Sequence, residues 1–140
     1  MPYSTTPVSL DIPSTLRHQC SLHTSRDGHL VGIIAFEGQS PNLTWQDLEY
    51  MRRRCEELSL MAFPDYIAAF IVDLRGLMAL LDGDSPILPW RIAEDECPVR
   101  VIVSNAQRAH YSSVLEPAWL AWDLDATLKD MREFLDTNYH

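Results

Sequence analysis

Tyr66-Ile67-Ala68-Ala69-Phe70-Ile71-Val72-Asp73-Leu74-Arg75-Gly76-Leu77 is the stretch on which the fold turns. An unbroken apolar run breaks into Asp-Leu-Arg-Gly-Leu. Such a run reads as a strand buried on both faces that ends in a turn. The same residues also fit a helix. Ile67, Phe70, Ile71, Leu74, Met78 and Leu81 fall three and four apart, and Pro64 suits a helix start. Strand over residues 66–74 is the preferred reading, because Ile, Phe and Val cluster there and Gly76 interrupts a helix. It predicts Ile71 in the core and Asp73 at the strand's C-terminal end.

Upstream, residues 19–25 alternate weakly, with Cys20 and Leu22 on one face. Arg26-Asp27-Gly28-His29 is a turn, since Asp-Gly supplies the positive φ a tight hairpin needs. Residues 30–36 form a second strand, so the two make an antiparallel hairpin. Thr44 then caps a helix, with Asp47 in its first turn, where negative charge suits the helix dipole. Leu48, Met51, Cys55 and Leu58 form its apolar stripe. Arg52, Arg53 and Arg54 are the one basic run, read as a solvated face paired with Glu49, Glu56 and Glu57.

Downstream, residues 77–81 read as a short helical turn and 82–86 as a loop. Pro89 starts a short helix through Trp90 and Ile92. Residues 99–103 are a clear strand, 106–114 a helix and 118–122 a short strand. Asp123 or Asp125 caps a last helix, with Leu124, Leu128, Met131 and Leu135 as its stripe. Units alternating at this length require crossover connections. They predict an α/β fold: a small, mainly parallel sheet with an N-terminal antiparallel hairpin and helices.

At 140 residues the chain fits one domain. Residues 1–17, rich in Pro, Ser and Thr, read as a tail partly draped on a domain spanning 18–140. Net charge is −9, from 11 basic and 20 acidic residues, which argues against nucleic acid as a partner. No long uncharged apolar run predicts a transmembrane segment. The first residues lack a basic start and an apolar core, so no signal peptide is expected and the cytoplasm is the default location. Cys20, Cys55 and Cys97 stand too far apart for a zinc site, and free thiols in a reducing compartment are expected. No metal or cofactor is predicted.

The order of elements resembles the STAS domain, the fold of bacterial anti-sigma factor antagonists. Its divergent relatives share a fold with lipid-binding Sec14-type domains. Three places carry the likeness. Residues 28–38 look like the family's first long strand. Asp73-Leu74-Arg75-Gly76-Leu77 is similar to the Asp-Leu-Ser-Gly-Val that ends its central strand. Trp122-Asp123-Leu124-Asp125-Ala126-Thr127-Leu128 looks like its final strand passing into the last helix. The antagonists then carry Asp-Ser-Ser-Gly, whose serine accepts phosphate. Here Asp82 is followed by Gly83, Asp84, Ser85 and Pro86, with the spacing shifted by about one residue. The resemblance implies Ser85 as the phospho-acceptor. Asp-Ser-Pro also favours a plain turn serine.

These readings predict a non-catalytic regulatory module, in a bacterial pathway, that binds a protein partner or a second copy of itself. Its contact residues would be Asp73, Arg75, Asp82, Asp84, Ser85 and Trp90, gathered at the C-terminal edge of the sheet. A pocket for a small apolar or lipid-like ligand, walled by Trp90, Trp119 and Trp122, is the second reading. An enzyme using a Cys97–His110 pair is the third.

Overall fold

The computed structural model describes residues 4–9, 11–81, 98–115 and 117–138. It is an α/β fold built on one five-stranded sheet with strands in chain order. β1 (Arg17–Thr24) and β2 (Leu30–Gly38) form the antiparallel hairpin. α1 (Trp45–Met61) leads to β3 (Ile67–Leu77), which lies parallel to β2. β4 (Val99–Ile102) lies parallel to β3. α2 (Arg108–Val114) and a single 3-10 turn (Pro117–Trp119) precede β5 (Leu120–Ala121), parallel to β4. α3 (Leu124–Asn138) closes the described chain.

β3 is a strand because it is paired on both sides and buried on both faces. Phe70, Val72 and Leu74 point into one core, with Ile34, Phe36 and Val101 from neighbouring strands. Met51, Cys55 and Leu58 of α1 and Tyr111 of α2 cover that face. Ala69 and Ile71 point the other way, against Met131 and Leu135 of α3. Ile71 has no exposed surface. The two unlike cores explain why the run shows no polar alternation. Gly76 is required here by close approach: a Cβ would stand 2.9 Å from the Phe36 carbonyl oxygen.

Two expectations around this strand are corrected. Leu77 belongs to β3, so residues 77–81 are no helical turn. The Met78 N–H donates to the Gly38 carbonyl at 2.9 Å, which carries the pairing with β2 past the end of the strand. Asp73 therefore lies four residues inside β3 and not at its end. The late strand expected over 118–122 is also shorter, because the 3-10 turn takes up residues 117–119.

Local signals read from the sequence are realised in detail. Gly28 alone among the described residues has positive φ, at +91°, in the hairpin turn. Asp136 of α3 clamps that turn, accepting from the Ser25 hydroxyl (2.7 Å) and the Arg26 and Asp27 amides (3.2 Å each). These bonds, the Ser25 one foremost, hold its carboxyl below the usual carboxylate range. At the start of α1, Thr44 Oγ1 accepts from the Asp47 amide at 3.1 Å, and Asp47 returns a bond to the Thr44 amide at 3.0 Å. The Ser14 hydroxyl donates to the same buried Asp47 at 2.8 Å, and Leu16 is buried against the main core. Loss of the cap in Thr44→Ala should cost about 1 kcal/mol in denaturant unfolding. Arg52 pairs with Glu49 and Glu56, and Arg54 with Glu57. No helix of the described residues is long and apolar enough to cross a membrane.

Candidate functional site

Asp73 and Arg75 are two apart on one strand, so both side chains stand on the α3 face. They form a bidentate ion pair, Nε to Oδ1 at 3.0 Å and Nη2 to Oδ2 at 2.9 Å. The Arg75 amide adds a third bond to Asp73 at 3.1 Å. Asp73 first, with Asp123 contributing, raises the guanidinium's pKa above its ordinary value. That influence puts Asp123 near the pair, where its own carboxylate caps α3 through the Ala126 amide at 2.8 Å. Next to Asp123, Trp122 lies under the Arg108 guanidinium, 3.9 Å from its ring centroid. The edge is thus a set of charges already satisfied among themselves, with a stacked tryptophan beside them.

From Trp122 and Asp123 a half-open groove of about 300 Å³ runs between α3 and the β4–β5 edge. Trp122 and Phe134 line it and are 43% and 46% exposed. Arg100 and Asp130 contribute one charge of each sign. The groove exists because β5 is only two residues long and, among the described residues, α3 is the sole helix on its face. Trp119 turns the other way and packs, half-buried, against the main core. Trp119 and Trp122 therefore do not share a wall, and Trp90 lies outside the described residues.

Asp82, Asp84 and Ser85 likewise lie outside the described residues, as does Cys97. His110 sits on α2 with Nε2 2.7 Å from the Leu81 carbonyl oxygen. Of the other cysteines, Cys55 is buried and its thiol is pushed up to about 12. Burial and the nearby Glu57 also raise the thiol of Cys20. Both are protonated near neutral pH, which makes them poor nucleophiles and ligands. Among the described residues no group of three or more His, Cys, Asp or Glu is placed to hold a metal ion.

A second exposed surface lies at the opposite end of β3. Leu60, Met61, Phe63 and Tyr66, within seven residues, are 71%, 75%, 82% and 74% exposed. They sit where the last turn of α1 swings into β3. The sequence reading did not single them out, although four large apolar side chains beside a proline at a helix end were visible there. No family model matches this chain, and no curated protein matches it in sequence.

Proposed function

We propose that this domain is a non-catalytic regulatory module that holds a protein segment in the groove between α3 and the β4–β5 edge. The observation that carries the reading is the pair of half-exposed aromatics, Trp122 and Phe134, lining an open groove beside the Asp73–Arg75–Asp123 charges. Apolar anchors ringed by fixed polar groups are what a partner surface needs. The ion pairs matter because they need no reorganisation when a partner arrives. The sequence resemblance to STAS domains, among them regulatory antagonists of anti-sigma factors, supports the same reading.

A small apolar or lipid-like ligand is the second reading, favoured by the aromatic walls. The groove's volume lies at the bottom of the range for small-molecule pockets, and a pocket that buries most of its ligand is more enclosed than this one. An extended peptide suits a half-open groove better.

Capture from native lysate tests the proposal. The wild-type chain should retain a partner that Trp122→Asp loses at least tenfold. Stability should change by no more than about 1 kcal/mol, as for a surface site. A capture that survives Trp122→Asp but is lost in Phe63→Asp moves the contact to the α1–β3 corner. No captured protein, with a ligand visible in native mass spectra of the purified chain, decides for the second reading.

A further inference from the structure

The two edges of the sheet differ in kind. β5 is blunted at two residues, whereas β1 runs for eight, and six of those eight are exposed. Its register with β2 is unbroken from Arg17 opposite Glu37 to Thr24 opposite Leu30. Among the described residues it pairs with no other strand. Edge strands are ordinarily guarded by shortness, proline, a bulge or a mid-strand charge. β1 has none of these. Its only formal charge, Arg17, is its first residue. His18 is engaged by the Tyr50 hydroxyl at 2.5 Å, and burial, with Arg54 nearby, favours its neutral form.

We propose that two copies of this chain join antiparallel through β1 about a twofold axis, making one sheet continuous across both. The charge pattern points to a second copy of this chain. Two chains of net charge −9 repel over most of their surface, but β1 carries no carboxylate. Pairing centred on Ser21, opposite the partner's Ser21, sets the two Arg17 residues at opposite ends of the seam, about 27 Å apart at the rise of a strand. It also places Gln19 opposite the partner's His23, and Cys20 opposite the partner's Leu22.

The flank above the strand is self-complementary as well. Tyr50, Arg54 and Glu57 of α1 stand against β1, since Arg54 and Glu57 act electrostatically on both His18 and Cys20. A twofold axis through the seam runs the two α1 helices antiparallel, which sets Arg54 toward the partner's Glu57. Each Arg54 already pairs with Glu57 of its own helix, so the seam brings two such pairs together. Isologous pairing of this kind closes on itself at two subunits.

Sedimentation of the full chain across the micromolar range is the test. The expected species has twice the 16.0 kDa of one chain. Ser21→Lys sets two ammonium groups close together at the axis and should raise the dimer dissociation constant at least tenfold. Trp122→Ala should leave it unchanged, so failure here is separable from failure of the groove as a partner site. Where Ser21→Lys does not fold, charge reversal serves instead. Arg54→Glu or Glu57→Arg alone should weaken the dimer, and the double variant should restore it. A wild-type chain that stays at 16.0 kDa throughout overturns the proposal. So does a dimer whose affinity is unchanged in folded Ser21→Lys or in the single charge reversals.

Discussion

Ile71→Ala should lower the free energy of unfolding by about 2–5 kcal/mol, the cost of removing a buried aliphatic side chain and leaving a cavity. Ile71 sits mid-way along the central strand with no exposed surface. It packs in the smaller of the two cores, with Val31, Ala69, Ile102, Met131 and Leu135. Among the described residues that core is what joins α3's apolar stripe to the sheet, and two of its strand residues are alanines already. Little neighbouring volume is available to fill the space, which places the expectation in the upper part of the range. Ile71→Val, which removes one methylene, should cost about 0.5–1.5 kcal/mol. The midpoint of urea unfolding reads both. A neutral Ile71→Ala would mean that α3 does not press on β3, and the groove walled by α3 would then lose its footing too.

The same residue shows how far the sequence could be read. The apolar run 66–74 was ambiguous between strand and helix because burial on both faces erases the alternation that marks a half-exposed strand. Composition decided correctly: β-branched and aromatic residues crowd the run, and Gly76 follows it. The hairpin turn and the Thr44–Asp47 cap were legible because each depends on two or three adjacent residues. The groove was not legible. Its walls come from β4, β5 and α3, and nothing local says which face α3 will cover. The expectation of contacts at the strands' C-terminal edge rested on a rule for sheets whose strand order reverses. Among the described residues the order runs straight from β1 to β5, so that rule has no reversal to act on. The opening falls instead where the last strand is too short to meet the last helix. Trp119 and Trp122 looked alike in the sequence, but the chain passes from a 3-10 turn into a strand between them and sends them to opposite faces. The Asp73–Arg75 pair could have been found, since opposite charges two apart on a strand share a face.

Gln107→Ala should cost about 2–4 kcal/mol, from a residue that no pattern in the sequence marks. Its buried side-chain amide nitrogen donates to the carbonyls of Leu74 (2.9 Å) and Leu77 (3.0 Å) at the end of β3. Its Oε1 accepts from the Ser104 amide at 2.9 Å. One side chain thus ties the loop after β4 to the last turn of the central strand, and its truncation strands three backbone groups. Each buried group left unpaired costs about 1–3 kcal/mol. The total falls short of three full penalties because Ser104 is half-exposed and water can reach its amide. Gln107→Glu separates this account from simple loss of packing, since volume is kept while the donor is lost. At neutral pH its carboxylate would face two carbonyl oxygens, so the folded state should raise its pKa above the unfolded value. The folded state then binds the proton more tightly, and stability rises as pH falls through that raised pKa. Once protonated, the side chain can donate to one of the two carbonyls, so part of the loss should be recovered. Urea unfolding at pH 7 and pH 5 reads the difference. A Gln107→Glu variant as stable as wild type at pH 7, or one that weakens further on acidification relative to wild type, would mean that these two carbonyls do not depend on Gln107.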